Sequence, residues 1–246
     1  MLKYFLVVIL ALLTLITWFI MTQSYKDPTV IIVGTGVAYP PFVFLEEEKI
    51  VGFDKDVMDA ISNEIKTKIE YRIIDNVLVN VENGNIDVGI GGISITEDRK
   101  NRVNFTNPYY TNRVVVVVKK DSDFEKIIDL DGKKVGTWYG TTNLDIAMDI
   151  KGAEIVKVDE DYDLYSALID GKVDAIITDK ALNDYLTKGE YENKIKIIGR
   201  PLSIEDFGYI VTKDNIDLLN KLNYGLRGIM DNGVFDEIYD KWINEQ

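Results

Sequence analysis

The chain has 246 residues, of which 46% are hydrophobic and 28% charged, so its composition is that of a folded domain with a substantial core. Its 41 acidic residues outnumber 28 Lys and Arg, giving a net charge of −13, which argues against a nucleic-acid partner because phosphates require a basic surface. Cysteine and histidine are both absent, which excludes Cys-rich zinc sites, thiol chemistry and Ser-His-Asp triads.

The first segment of the chain is apolar. It runs from Tyr4 to Met21 without a charged residue, after Lys3, which is typical of membrane targeting with the basic end inside. A bilayer core needs about 20 apolar residues, so the segment is barely long enough to span and long for a signal peptide. Residues 1–28 are expected to form a hydrophobic helix that is either kept as an anchor or cleaved, and both alternatives stay open. Either one places the chain from Thr29 onward outside the cytoplasm, in the periplasm or on the outer face of the membrane.

Beyond Thr29, apolar β-branched runs alternate with amphipathic segments, which predicts α/β layers with mostly parallel strands. The predicted elements of the first half are strands at Val30–Val33, Ile69–Ile74 and Ile86–Ile90, a helix after Gly52-Phe53-Asp54, and a short helix at Val77–Asn83. The continuously apolar run Val114–Val118 predicts a strand that is buried on both faces or crosses between two lobes.

After this run the alternation starts again. Its predicted elements are strands at Lys134–Thr137, Glu154–Val158, Ala175–Thr178 and Lys194–Ile198, with helices at Leu144–Ile150, Leu164–Ile169 and Ala181–Leu186. A strand at Phe207–Val211 and two amphipathic helices complete the chain. This order predicts a discontinuous first lobe of residues 29–112 and 206–246, and an inserted second lobe of residues 113–205.

Polar residues follow the predicted strands at their carboxyl ends, where open α/β sheets bind ligands. Ser94, Thr96 and Arg99 come after Gly91-Gly92, and the planar guanidinium of Arg99 suits bidentate capture of a carboxylate. In the alternative interpretation, Ser94 or Thr96 is a helix N-cap and Arg99 forms a solvated salt bridge.

Three further positions are candidates for a binding site. Gly140-Thr141-Thr142 precedes a helix whose N-terminal N–H groups can bind an anion, although Thr142 or Asn143 could simply cap it. Asp179 closes a strand and could bind an ammonium group in a desolvated cleft, or could equally cap the next helix. Tyr39 could form an apolar lid over the cleft or belong to the core.

Seven motifs carry a resemblance to a known family. They are Gly34-Thr35 with Tyr39-Pro40-Pro41-Phe42, Gly52-Phe53-Asp54, Asn85-Ile86-Asp87, Gly92-Ile93-Ser94-Ile95-Thr96 with Arg99, Phe105-Thr106-Asn107-Pro108-Tyr109-Tyr110, Gly140-Thr141-Thr142 and Ile238-Tyr239-Asp240-Lys241-Trp242. From about Thr29 to the C terminus, the chain resembles the bacterial and archaeal polar amino-acid-binding proteins of ABC importers, the extracellular solute-binding protein family 3.

The resemblance implies a two-lobed periplasmic-binding-protein-like fold of type II, in which each lobe is a mostly parallel sheet flanked by helices. It implies a monomer without catalytic activity, metal or cofactor, which closes around a free amino acid and delivers it to the membrane subunits of an ABC transporter.

The resemblance also implies the roles of individual residues. Arg99 would bind the α-carboxylate of the ligand, shared with Ser94, Thr142 and nearby backbone amides, and Asp179 would bind the α-ammonium group. Tyr39 would cover the ligand side chain. The predicted ligand-binding set also includes Thr141, Gly92, Trp138 and Ile74.

Two positions depart from the family pattern. Gly36 stands where relatives that bind basic or amide side chains often carry an acid, and Ile74 stands where many have an aromatic ring. Trp138 and Tyr139 fall on the loop wall that faces the ligand side chain, or pack beneath that loop. The pocket is therefore expected to lack a dedicated acid for a cationic ligand.

Two other functions stay open on the same fold. The first is a membrane-anchored amino-acid sensor domain, which the lack of a recognisable signalling region in the sequence disfavours. The second is an enzyme similar to the periplasmic cyclohexadienyl dehydratases, in which a cleft carboxylate acts as general acid.

Overall fold

The computed structural model describes residues 30–158, 163–189 and 191–244. Its strands are, in chain order, β1 (Val30–Thr35), β2 (Ala38–Tyr39), β3 (Val43–Glu46), β4 (Lys49–Val51), β5 (Lys68–Ile73), β6 (Val88–Gly89), β7 (Val103–Phe105), β8 (Tyr110–Lys119), β9 (Lys134–Trp138), β10 (Glu154–Val158), β11 (Ala175–Asp179), β12 (Ile195–Phe207) and β13 (Ile210–Thr212).

The helices follow the predicted amphipathic segments closely. They are α1 (Phe53–Glu64), α2 (Val77–Glu82), α3 (Glu97–Arg102), α4 (Thr142–Met148), α5 (Leu164–Ile169), α6 (Lys180–Thr187), α7 (Ile216–Asp231) and α8 (Val234–Tyr239), with a 3-10 helix at Ile127–Leu130 and a π-helical turn at Asp240–Asn244. Within the described ranges, no helix combines the length and hydrophobicity needed to cross a membrane. The helix expected over residues 1–28 lies outside these ranges.

The first sheet has the strand order β5-β1-β6-β13-β7. β1 and β6 are parallel, whereas β13 is antiparallel to both of its neighbours. α1 packs on this sheet because Val57, Met58 and Ile61 recur at helical spacing and are fully buried. The same core contains the buried face of α7, with Leu222 and Leu226.

The second sheet has the strand order β10-β9-β11-β8-β12. β9, β10 and β11 are parallel, β8 is antiparallel to β11, and β12 is antiparallel to β8. Successive side chains of β8 alternate between two cores, because Val115 and Val117 pack in one and Val114, Val116 and Val118 in the other. The prediction that the run Val114–Val118 is buried on both faces is confirmed.

β8 and β12 carry the chain between the two sheets. β8 starts five residues after β7, and β12 ends just before β13. The prediction of a strand limited to Lys194–Ile198 is wrong, because β12 pairs with β8 as far as Phe207, with an irregularity between Ile198 and Ser203. Phe207 consequently belongs to β12 rather than to the separate strand predicted at Phe207–Val211. The predicted lobe boundaries at 112/113 and 205/206 fall within these two paired strands and stay a prediction.

A small sheet of order β2-β3-β4 covers the stretch between β1 and α1, where no strand was predicted. Its β3–β4 turn uses Glu47 and Glu48 with φ of 48° and 63°, a conformation that non-glycine residues seldom adopt. β6 is also shorter than predicted, and Ile90 continues beyond it with its N–H donating to the carbonyl of Gly34.

Candidate functional site

The predicted binding residues converge where the two sheets face each other. Ser94, which follows β6 of the first sheet, has its Oγ 3.5 Å from Oγ1 of Thr142, which follows β9 of the second. Tyr39, on β2 beyond the first sheet, donates its hydroxyl to Oδ2 of Asp179 at the end of β11, at 2.5 Å. Two independent contacts therefore join the segments that the sequence singled out.

The turn before Ser94 is held by Asp54, at the start of α1. Its Oδ2 accepts hydrogen bonds from the N–H groups of Gly91 (2.7 Å) and Gly92 (2.8 Å) and from the hydroxyl of Tyr109 (2.9 Å). Asp54 is fully buried, and burial raises its pKa to about 6 although these hydrogen bonds oppose the shift. The sequence marked Asp54 as part of a motif but not as the residue that shapes this turn.

Gly92 has a positive φ of 62° and lies against Tyr39. A Cβ at this position would approach Tyr39 Cε1 to 2.3 Å, so only glycine fits. Its N–H donates to Asp54 and is thus engaged within the protein.

Arg99 is the third residue of α3. Its N–H donates to Oγ1 of Thr96, at 3.2 Å, so Thr96 is the N-cap, as one of the two interpretations expected. Arg99 is half-buried, and its guanidinium folds back over the turn, where Nη1 donates to the carbonyl of Ser94 at 3.0 Å. Burial lowers the pKa of Arg99, and the nearby carboxylate of Glu205 opposes this shift.

Thr141, rather than Thr142 or Asn143, occupies the N-cap position of α4, which corrects the capping alternative. The Thr141 hydroxyl donates to the carbonyl of Trp138 at 3.0 Å. Thr142 is free of a capping role, and its hydroxyl donates to Oε2 of Glu205 at 2.9 Å. Its position beside Ser94 makes it a donor at the meeting point of the two sheets.

Asp179 occupies the N-cap position of α6, but its side chain makes no capping hydrogen bond. Instead it accepts from Tyr39 and from Nδ2 of Asn112 at 2.5 Å, with a further hydrogen bond to Asn143. Burial raises the pKa of Asp179, these hydrogen bonds lower it, and repulsion from Glu205 raises it again. The interpretation of this side chain as a simple helix cap is wrong.

Tyr39 belongs to both halves of the site. Its ring stacks on Phe42 with centroids 5.1 Å apart, and it packs against the core of the first sheet and against one core of the second. Neither the lid nor the core interpretation of Tyr39 predicted the hydrogen bond from its hydroxyl to Asp179.

The remaining predicted residues lie around this centre. Trp138 is half-buried against a core of the second sheet, while Tyr139 is 67% exposed with Lys157 Nζ 5.3 Å above its ring. Ile74 packs over Gly34 of β1. Gly36 is exposed, with open space where a Cβ would stand.

Two central residues were missed by the sequence reasoning. Asn112 and Glu205 are register partners on β8 and β12, the strands that carry the chain between the sheets. Polar side chains flanking the apolar run of β8 were the available signal for Asn112. Glu205 carried no such signal, because β12 was predicted too short to include it.

A comparison with known protein families identifies the chain. The model of the bacterial extracellular solute-binding proteins, family 3, matches residues 31–245. The chain belongs to this family. As a family 3 protein it is an extracytoplasmic solute-binding protein, and the predicted resemblance is confirmed.

Individual relatives agree with the assignment. The ABC transporter arginine-binding protein 1 of Escherichia coli (strain K12) is 32% identical over 220 residues, covering 85% of this chain and 89% of the relative. An ancestral arginine-binding protein bound to arginine is 36% identical with a TM-score of 0.82, covering 88% of this chain and 99% of that structure. An ancestral arginine-binding protein bound to glutamine has a TM-score of 0.81 at the same identity and coverage. The predicted two-lobed type II fold is confirmed, and these relatives are binding proteins, which favours solute binding over the sensor and enzyme alternatives.

Proposed function

We propose that this solute-binding protein captures a free amino acid between two lobes and delivers it to the membrane subunits of an ABC importer. Relatives named for arginine binding, one of them for an ABC transporter, support the ligand class and the partner. The lobes of this proposal are residues 29–112 with 206–246, and residues 113–205.

The observation that carries the proposal is the arrangement of opposite charges at the meeting point of the two sheets. Arg99 and Ser94 come from the first sheet, and Thr142 and Asp179 come from the second. An α-amino acid presents a carboxylate and an ammonium group a few ångströms apart. Its carboxylate would bind Arg99, Ser94 and Thr142, and its ammonium group would bind Asp179.

Because the ligand would bind residues of both sheets, its binding would stabilise the closed arrangement of the two lobes. Hydrogen bonds to charged groups contribute roughly 1.5–3 kcal/mol each, and the full set forms only when both sheets contact the same ligand. A ligand that binds the closed form better shifts the population toward it, which the importer can recognise.

The walls around this charged centre would select the ligand side chain. Tyr39 would cover it, with Trp138 and Ile74 nearby, and Thr141 and Gly92 would shape the backbone around the ligand carboxylate. We further propose a monomer without catalytic activity, tethered by residues 1–28 or released after their cleavage. Incubation with prephenate or arogenate should then yield no aromatic product.

The decisive experiment is titration calorimetry of the full chain with the twenty amino acids, followed by the variant Arg99→Ala. Loss of the guanidinium should abolish binding because no other residue of the proposed site carries a bidentate donor for the α-carboxylate. Arg102→Ala is the matched control, since Arg102 lies on the same helix but pairs with Glu82 at the surface. Undiminished affinity of a folded Arg99→Ala protein would reject the assignment.

A further inference from the structure

Glu205 is a carboxylate that the proposed zwitterion site leaves without a role. It is half-buried on β12, accepts from the Thr142 hydroxyl, and is the register partner of Asn112. Its donor Thr142 lies 3.5 Å from Ser94, and its register partner Asn112 donates to Asp179, so Glu205 lies between the two ends of the site. Its charge also raises the pKa of both Arg99 and Asp179.

The charges of this centre do not balance for a neutral amino acid. Of the groups that would contact the ligand, Arg99 is opposed by two carboxylates, Asp179 and Glu205, which leaves one negative charge in excess. Asp54, buried beneath Gly92, is compensated by hydrogen bonds from Gly91, Gly92 and Tyr109 rather than by a cation. Asp98 and Asp145 also act on Arg99, but both are exposed and screened by solvent. A zwitterion adds no net charge, whereas an unbalanced charge that ligand binding withdraws from water is costly. A ligand with one additional positive charge removes the excess.

The hydrogen-bonding groups show the same imbalance. The Thr142 hydroxyl carries one proton, which it now donates to Glu205. If the ligand carboxylate takes that proton, Glu205 needs another donor. Among the described residues, the buried Oδ1 atoms of Asn112 and Asn143 have no hydrogen-bond donor, so the centre is rich in acceptors and short of donors. A guanidinium offers five N–H donors and an alkylammonium three.

We propose that Glu205 makes this cleft selective for amino acids with a cationic side chain, supplying the acid that is missing at Gly36. The inference rests on the proposed amino-acid binding and adds its specificity determinant. The acid comes from the strand that connects the sheets rather than from the loop after β1.

Arginine and citrulline are the probes that isolate the charge, because citrulline has nearly the same shape and carries no side-chain charge. The full chain should bind arginine at least about tenfold more tightly than citrulline in titration calorimetry. Glu205→Gln should weaken arginine binding by about 10- to 100-fold, the range expected for a lost charged hydrogen bond, and change citrulline binding by less than about threefold.

Asp206→Asn is the matched control. It removes the same charge from the next residue of β12, but Asp206 is exposed and bonded to Thr111. It should leave the arginine-to-citrulline ratio unchanged.

The outcomes separate this inference from the function on which it rests. Absence of binding to any amino acid rejects the proposed function. Binding with no preference for arginine over citrulline in the unmodified protein overturns the role of Glu205 alone and needs no variant. An equal change of the arginine and citrulline affinities in Glu205→Gln also overturns it. An equal gain would mean that Glu205 only competes with the ligand carboxylate for the Thr142 hydroxyl.

Discussion

Asp54 is fully buried, and one of its carboxylate oxygens accepts three hydrogen bonds. Its other oxygen has no hydrogen-bond partner within the described part of the chain. The charge is retained because two of the three donors are backbone N–H groups of the turn that leads to Ser94 and Arg99. Its pKa of about 6, against the usual 3.8, records what burial of this charge costs. The turn that leads to the proposed site is thus held in place by a carboxylate whose charged form is itself destabilised by burial at neutral pH.

Asp54 should therefore make the folded protein more stable at acidic pH than at neutral pH. A folded-state pKa above the unfolded value contributes stability that is complete below pH 3.8 and lost as the pH rises through about 6. The difference corresponds to about 3 kcal/mol. Asp54→Asn cannot take up the proton, so the wild-type protein should gain about 2 kcal/mol of this difference over the variant between pH 7 and pH 4, measured by urea unfolding. Parallel pH profiles would contradict it, and the exposed Asp214→Asn serves as control.

Helices α1 and α7 approach closely because α7 presents two glycines to α1. A Cβ on Gly225 would stand 2.9 Å from Cγ2 of both Ile61 and Ile65 and 3.2 Å from the Ile61 carbonyl oxygen. The three atoms nearest to a Cβ on Gly228 all belong to Glu64, with Cγ and Oε1 at 2.9 Å. Ile61 is fully buried and cannot yield, whereas the end of the Glu64 side chain can rotate into solvent.

The two glycines should therefore respond oppositely to alanine. Alanine gains about 1 kcal/mol of helix propensity at either position. At Gly225, overpacking against Ile61 costs about 1–3 kcal/mol, so Gly225→Ala should lower the free energy of unfolding. Gly228→Ala should leave it unchanged or raise it by up to about 1 kcal/mol. Chemical denaturation of both variants measures this, and equal effects would show that the helix contact tolerates a Cβ at both sites.

The small sheet also contacts helix α6 away from the proposed site. Phe44 of the small sheet lies 5.6 Å from Tyr185 of α6 and 5.8 Å from Trp242, measured between ring centroids. Tyr185 lies on the helix that follows β11 of the second sheet, while Trp242 packs against the core of the first. In a protein that closes on its ligand, such a contact favours the closed form without touching the ligand.

Phe44→Ala should accordingly weaken amino-acid binding although it changes no residue of the proposed site. An aromatic pair contributes about 0.5–1.5 kcal/mol, which corresponds to roughly a 2- to 13-fold loss of affinity. Small-angle scattering should show a larger radius of gyration in the ligand-free variant. Tyr224→Ala removes an exposed ring from α7 and should change neither quantity. Unchanged affinity and size in Phe44→Ala would exclude this contact from closure.

Local sequence patterns were sufficient to predict most helices and strands and the charged residues of the proposed site. α5 was predicted at its observed bounds, and α1 was predicted to follow Gly52-Phe53-Asp54, because the side chains that face the core recur at the helical period. Arg99, Thr142 and Asp179 were found because they follow strands at their carboxyl ends, where α/β sheets expose their ligand sites. The family motifs supplied the type II fold and the solute-binding function.

Only the tertiary structure decided which polar groups meet. Tyr39 and Asp179 are 140 residues apart, and Asp54 and Gly91 are 37 apart, so no local pattern records their bonds. The extension of β12 and the place of Glu205 come from pairing with β8, a contact between distant strands that overrides the local turn signals. Spacing along the chain determined the elements and the family, whereas hydrogen bonding between distant segments determined the charge balance of the cleft.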